Sequence, residues 1–377
     1  MAAFIYSDNF TSYDFGPEHP LVPRRLNLTY ELLSAYRAFD LPGSRLVPAQ
    51  PGAERDILLA HDPDYVEAVH SLSRGEFVAN PLRYGFDSVD NPPFRGMYEA
   101  SLLYTGASVQ AAELVASGAE RVAFNIAGGL HHAMRDRASG FCIFNDPVVA
   151  IHRLLETFEK VAYIDIDAHH GDGVQAAFYT TNRVLTVSVH ESGRWLFPGT
   201  GFVQELGEGD GEGYSINLPL APHAGDGELL RVFRDGALPI LRSFDAPVIV
   251  AQLGADGHYR DPLTHLGYTT AGWLEVVREI LGLGKPVVAL GGGGYDPTAA
   301  CRMWTLAYGA MTGRDFPDEI PEDFATKYHI RRLRDHDAPR LPMSEAREVS
   351  RQAAATLDDL KRLVFPLWPG LAEPASG

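Results

Sequence analysis

Tyr163-Ile164-Asp165-Ile166-Asp167-Ala168-His169-His170-Gly171-Asp172-Gly173 sets a strand pattern against a row of ionisable side chains. Its first half alternates apolar residues with carboxylates. A parallel strand covered on both faces is normally apolar throughout. Two aspartates inside one, followed two residues on by a histidine, therefore need a partner that offsets the desolvation of charge. A metal ion is such a partner. On an extended chain Asp167 and His169 point to the same side, offering the carboxylate oxygen and imidazole nitrogen that zinc accepts. Asp165 shares that side, as a further ligand or as a group behind one; His170 points to the other.

The same architecture repeats outward from this stretch. The chain opens on a short strand pattern, Met1 to Tyr6, and apolar runs follow at Val122 to Ile126, Val161 to Ile166, Val184 to Val189, Val248 to Leu253 and Val287 to Leu290. Helical windows lie near Asn27 to Tyr36, Pro63 to Leu72, Met97 to Ala116, Pro147 to Phe158, Glu228 to Phe244, Ala271 to Leu283 and Thr298 to Met311. Strand and helix in alternation predict a single-domain, three-layer α/β fold with a mostly parallel central sheet. Just beyond the runs stand His131-His132, Asp167 to Asp172, His190-Glu191, Gly254-Ala255-Asp256 and Gly291 to Tyr295. Open α/β sheets bind ligands outside the carboxyl ends of their strands, so these residues are expected on one edge. Thr312 to Leu341 reads as charged and loop-like, and a last amphipathic helix is expected from Ser344 to Val364. We expect one domain over residues 1–377, with a catalytic core at 19–304 and a covering segment at 312–377.

Hydrophobic residues make up 45% and charged residues 21% of the 377, the balance of a globular chain with a sizeable core. A formal net charge of −17 argues against nucleic acid, whose phosphates attract basic surfaces. Two cysteines, Cys142 and Cys301, are too few for a disulfide framework and lack zinc-finger spacing. There is no basic leader and no apolar run long enough to span a bilayer. The expectation is a cytoplasmic protein with neither a membrane nor a nucleic-acid partner.

A catalytic zinc site takes three protein ligands and keeps one position open. Asp256 is the best third candidate after Asp167 and His169, because it ends a buried strand and Gly254 permits close backbone approach. A turn residue or helix N-cap would account for it equally well. His131 and His132 are adjacent and would take separate roles. If Asp165 and Asp172 accept hydrogen bonds from them, the result is two His–Asp dyads with fixed tautomers. Tyr295 follows four glycines that lack the Lys-Ser/Thr of a phosphate-binding loop; a phenol delivered by such a turn can stabilise an oxyanion. A Lewis acid, an activated water, a histidine base and a hydroxyl donor together describe metal-assisted hydrolysis of an amide or similar acyl bond.

At this point the chain resembles a known family. Gly128-Gly129-Leu130-His131-His132, Ala138-Ser139-Gly140-Phe141-Cys142, Ile164 to Gly173, Phe197-Pro198-Gly199-Thr200-Gly201, Gly254-Ala255-Asp256 and Gly291 to Tyr295 occur in the order of the zinc-dependent histone deacetylases. His190 to Phe197 and Asp261 to Leu266 look most like the bacterial acetoin-utilisation branch, close to class I. The resemblance implies an arginase-like fold and a protein-lysine deacetylase. It implies Asp167, His169 and Asp256 as zinc ligands; two carboxylates and one imidazole suit iron(II) as well. Tyr295 would polarise the acyl carbonyl, His132 would be the general base, and His131 its electrostatic partner. Asp165 and Asp172 would be the partners of the two histidines. Phe141 and Phe197 would wall a tunnel for the acyl-lysine stem beside Gly140 and Leu263, and Asp90 would hold the substrate backbone at the rim. Arg25 would line a cavity for released acetate, and Asp165 and Ser188 would help hold a structural potassium ion. The implied partner is an acetylated protein, an acyl-CoA synthetase among the candidates.

Two departures concern the rim. Leu196 stands where many class I members carry a second phenylalanine, and Gly257-His258-Tyr259-Arg260 replaces their short polar segment. Three rival readings share parts of the pattern. A small-molecule acylamine hydrolase, such as an acetylpolyamine amidohydrolase, would use the same machinery. A dimanganese ureohydrolase needs further aspartates, and a non-catalytic acyl-lysine reader would not need Tyr295 and both dyads.

Overall fold

The computed structural model describes residues 1–86, 89–368 and 370–371. Among them eight strands form one sheet in the order β2-β1-β3-β8-β7-β4-β5-β6, and every ladder is parallel. They are β1 (Ala2–Tyr6), β2 (Ser44–Pro48), β3 (Val122–Asn125), β4 (Val161–Asp165), β5 (Val184–Glu191), β6 (Ser215–Leu220), β7 (Ile249–Gln252) and β8 (Val287–Leu290). The apolar runs single out the six inner strands; both edge strands, β2 and β6, lie outside that pattern. The inner strands are buried along their whole length, as a sheet covered on both faces requires.

Twelve α-helices accompany them among the described residues: α1 (Arg24–Ala35), α2 (Glu54–Ile57), α3 (Pro63–Ser73), α4 (Met97–Ala116), α5 (Asp146–Leu154), α6 (Asp172–Phe178), α7 (Asp226–Val232), α8 (Leu238–Phe244), α9 (Thr270–Gly282), α10 (Pro297–Met311), α11 (Glu322–Tyr328) and α12 (Met343–Leu363). One layer runs α1-α10-α9-α7-α12 by successive contacts, and α4 with α3, α5 and α6 forms another. Small residues let α4 come close, since Ala107, Ala111 and Ala112 on it are wholly buried. The helical window at Glu228 to Phe244 is two helices, α7 and α8, separated by a π turn over Phe233–Ala237. The stretch expected to be loop-like, 312–341, holds α11, and α12 packs on β6 and α7. No helix among the described residues is long and apolar enough to cross a membrane.

The sheet order places the site. β3 and β4 follow each other in sequence but are separated in the sheet by β8 and β7. The carboxyl ends of these four central strands face a common crevice, the position where open α/β sheets bind ligands. Four of the five polar motifs start from those ends, and the fifth, His190-Glu191, closes the neighbouring β5.

Candidate active site

β4 ends at Asp165, one residue short of the expected run, and the chain then turns through Ile166 to Gly171. This turn brings Asp167 and His169 against Asp256, which follows β7. One donor atom from each lies within 4.8 Å of the others, and all three side chains are buried. Asp256 Oδ2 lies 2.9 Å and Asp167 Oδ1 3.1 Å from His169 Nδ1. The other oxygen of each carboxylate is engaged by the chain: Asp256 Oδ1 accepts the Ala168 N–H at 2.7 Å, and Asp167 Oδ2 accepts Gln252 Nε2–H at 2.7 Å and the Gly293 N–H at 2.8 Å. Such partners orient ligands. Close approach depends on glycine at two points. A Cβ at Gly254 would meet Asp167 Cγ at 2.6 Å, and one at Gly293 would meet Asp256 Cγ at 2.7 Å.

Burial, with the neighbouring charge of Asp167, pushes the Asp256 carboxyl up to about 7. Two carboxylates this close hold a second negative charge easily only against a cation. Two carboxylate oxygens and one imidazole nitrogen are a donor set that fits a zinc-type divalent ion. Asp165 is not in this cluster, since its carboxylate faces another partner.

That partner is His131. Asp165 Oδ2 lies 2.7 Å from His131 Nδ1 and accepts the Tyr163 O–H at 2.6 Å, while Asp165 Oδ1 accepts the Asp167 N–H at 3.1 Å. Asp172 Oδ1 lies 2.7 Å from His132 Nδ1, and the two Nε2 atoms are 3.0 Å apart. Burial works against a charged His131, but the carboxylates of Asp165 and Asp167 outweigh it and raise its pKa to about 9. Burial and the charge of His131 together lower His132 to about 4, despite Asp172. Tyr295, in the glycine turn after β8, sits with its ring perpendicular to that of His169 at 6.3 Å. Burial holds its phenol well above the usual range, so it stays a hydroxyl.

A narrow cavity joins these groups, lined by His131, His132, Asp167, Gly140, Phe141, Tyr295 and Arg25 among others. Phe141 meets Tyr295 edge-on at 5.7 Å, and Phe197 meets His132 edge-on at 5.0 Å. Gly140 lies between His132 and Phe197: a Cβ there would come within 2.8 Å of both His132 Cγ and Phe197 Cε1. Arg25 is buried under the glycine turn, donating to the carbonyls of Gly292 at 2.7 Å and Gly294 at 3.2 Å, with its guanidinium over Trp304. A second cavity shares Leu21, Arg25 and Leu130 with the first and continues inward past Tyr13 and Tyr104. Asp90 is exposed, and its carbonyl lies 3.2 Å from His19, whose ring packs on Phe141. Ser188 is paired in register with Asp165, and its hydroxyl bonds His190 Nδ1 at 2.8 Å. Leu263 is half-buried, outside the residues lining the two cavities, with its N–H on Asp261.

Three supports have no part in the sequence reading. Gln252 is a polar residue in an otherwise apolar run, which was a visible signal. Asp261 accepts the N–H of Tyr295 at 2.7 Å and of Leu263 at 3.0 Å; its motif is distinctive, but nothing in it announces this contact. Asn145-Asp146-Pro147 reads only as a helix start. His170, set aside as a ligand, bonds Thr200 Oγ1 at 2.9 Å and Gln175 Oε1 at 3.0 Å, away from the cluster.

Comparison with known proteins shows the family and the fold. A sequence profile described as the histone deacetylase domain matches residues 19–311. The acetoin utilization protein AcuC of Bacillus subtilis (strain 168) is 43% identical over 339 residues, which cover 87% of this chain and 86% of that protein. Histone deacetylase 9 of Arabidopsis thaliana is 38% identical over 331 residues, covering 86% of this chain and 76% of the relative. The crystal structure of an HDAC homologue from Aquifex aeolicus superimposes with a TM-score of 0.84 at 32% identity, over 93% of this chain and 99% of that one. A structure of an HDAC homologue complexed with SAHA gives 0.85 at the same identity and coverage.

Proposed function

The chain belongs to the histone deacetylase family, on its bacterial acetoin-utilisation branch, and from that premise we propose that it is a zinc-dependent protein-lysine deacetylase hydrolysing the amide of Nε-acetyl-lysine. One juxtaposition carries the reading: two His–Asp pairs, each closed at 2.7 Å, meet the Asp167–His169–Asp256 cluster and Tyr295 at one narrow cavity. Asp167, His169 and Asp256 would hold the metal. Bound there, it would supply Lewis-acid polarisation of the acyl group and a more acidic water.

The remaining work falls to the chain's own side chains. Phe141 and Phe197, with Gly140 between His132 and Phe197, would hold the apolar acyl-lysine stem, while Asp90 and Leu263 would meet the substrate backbone at the rim. Asp172 fixes His132 with Nδ1 protonated, so the lone pair that would take a proton from the attacking water is on its Nε2. Asp165 likewise fixes His131, which stabilises charge beside His132 and can return a proton to the leaving amine. The Tyr295 hydroxyl donates to the developing oxyanion. Arg25 would meet the released acetate below. Asp165 and Ser188, side by side in register, offer the oxygen donors that suit a structural potassium ion. We place the protein in the cytoplasm, acting on acetylated protein, an acyl-CoA synthetase among the candidates.

The test compares turnover of acetyl-lysine peptides and acetylated polyamines by protein reconstituted with zinc or iron(II). Peptide turnover at about one metal per chain is expected. Hydrolysis of polyamines alone would move the substrate to small acylamines, and two metals per chain would point to ureohydrolase chemistry.

A further inference from the structure

Both dyads hang from one short loop, and the side chains that hold this loop take no part in the steps above. Asn145 and Asp146 are buried at the start of α5. Asp146 Oδ1 accepts the N–H groups of Leu130 at 2.9 Å and Gly129 at 3.1 Å; its Oδ2 accepts Gly129 N–H at 3.0 Å and the Ser108 O–H at 2.6 Å. Asn145 Nδ2 donates to the carbonyls of His131 at 3.1 Å and Ala133 at 2.9 Å. Two consecutive residues thus grip the peptides before the tandem histidines by their N–H groups, and the peptide between the histidines and one beyond them by their carbonyls.

The grip reaches the second dyad as well. Gly173 directly follows Asp172, and a Cβ added to it would meet His131 O at 2.6 Å and Asn145 Nδ2 at 2.7 Å. Asn145, the histidine loop and the turn carrying Asp172 therefore touch at one point. The loop itself is compliant, since it begins Gly128-Gly129 and Gly129 adopts a φ of +91°. Yet two adjacent imidazoles must each reach a different carboxylate at 2.7 Å while their Nε2 atoms stay 3.0 Å apart.

We propose that Asn145 and Asp146 are positioning residues, a bracket from the start of α5 that holds the His131-His132 backbone where both imidazoles meet their carboxylates together. The proposal rests on the deacetylase reading for its kinetic consequence only. A misplacement of about 1 Å at a reacting group can cost about 100-fold in rate.

Asn145 also caps α5, its Oδ1 accepting the Val148 N–H at 3.1 Å, which makes the test selective. Asn145→Ser keeps a capping oxygen but loses both donors to the loop; Asn145→Ala loses the cap too. On zinc-loaded protein we expect Asn145→Ser to lower kcat on an acetyl-lysine peptide about 10- to 100-fold. Its KM should stay within about twofold, its metal content unchanged, and its melting temperature close to that of the parent chain. Asn145→Ala should melt lower with no further loss of kcat. The low-field imidazole N–H proton resonances of the dyads should shift or broaden in both. Ser108→Ala loosens Asp146 without touching the cap and should move the same resonances less. Parent-like kcat and unmoved resonances in Asn145→Ser would overturn the bracket, as would activity that simply tracks melting temperature across the three variants. If the parent chain does not hydrolyse the peptide, the deacetylase reading fails, while the resonances still report on the bracket.

Discussion

His131 and His132 share a short contact that assigns their protons. Asp172 accepts from His132 Nδ1, so in neutral His132 the Nε2 carries a lone pair. The facing Nε2 of His131, 3.0 Å away, must then be the donor. With its Nδ1–H given to Asp165, His131 carries both protons. That agrees with a pKa raised to about 9 for His131 and lowered to about 4 for His132. At neutral pH only His132 thus keeps an unprotonated ring nitrogen, its Nε2, which can take a proton once it gives up the bond from His131, and this hydrogen-bond argument separates two residues that are indistinguishable in sequence. His132→Ala should keep its metal and lose about 10²- to 10⁴-fold in kcat, the range for a positioned general base. Tyr295→Phe removes one oxyanion donor and should lose about 10²- to 10³-fold. Steady-state kinetics beside elemental analysis checks both. Full turnover in either variant would remove the role assigned to that residue.

At the scale of elements, the inner strands were legible because burial on both faces writes a continuous apolar run into each. The edges were not. β2 is Ser-Arg-Leu-Val-Pro with most of its residues exposed or half-exposed, and β6 is Ser-Ile-Asn-Leu-Pro-Leu. Proline is tolerated at a sheet edge because one side of the strand has no ladder to feed, but it weakens the strand signal in sequence. The window across α7 and α8 contains Pro239, which has no N–H to donate, and the π turn before it absorbs the break. Asp335 was least legible of all, lying in a stretch that reads as charged loop. The residue is half-buried with its carboxylate nearly enclosed, and it accepts Arg302 Nη1–H at 2.8 Å, His258 Nε2–H at 2.9 Å and the Thr270 N–H at 2.8 Å. Burial works against its charge, but His258, the Thr270 N–H and Arg302 hold its pKa well below the usual carboxylate range. One carboxylate thus ties the 312–341 stretch to α9, α10 and the turn after Asp256. We propose on this ground that residues 312–368, the described part of the expected covering segment, belong to the same folding unit as the core. Asp335→Ala leaves Arg302, only 5% exposed, without its partner, and should destabilise the protein by about 3–5 kcal/mol. Calorimetry should show a single transition shifted down. An unchanged main transition would separate the segment from the core.

Over the whole molecule, buried histidines set the response to acid. His61 and His190 are buried and lowered to about 4 and about 3, in both cases chiefly by burial. Geometry keeps His61 neutral: its Nε2 accepts the Asn145 N–H at 2.9 Å, a bond that protonation there would destroy. A histidine whose pKa is lower folded than unfolded contributes stability that is complete above about 6.5. That stability is lost as pH falls from there through the folded pKa. Asp146, raised to about 6 by burial, works with the opposite sign: it holds a proton more tightly when folded, so its contribution improves as pH falls from about 6 towards the ordinary carboxylate range. Asp261, also raised to about 6 by burial, acts as Asp146 does, and Asp256, raised to about 7, would be held by the metal. The histidines outnumber the two, since His132 and His170 are also lowered to about 4, and the balance favours acid lability. On metal-loaded protein, urea unfolding should therefore show stability falling between pH 6.5 and pH 4.5, each such histidine contributing up to about 1.4 kcal/mol per pH unit. His61→Gln keeps an acceptor for Asn145 but cannot titrate, and should flatten that slope by about one proton. A parent chain equally stable at pH 7 and pH 5, or a His61→Gln slope identical to the parent's, would show that these imidazoles titrate alike in the folded and unfolded chain.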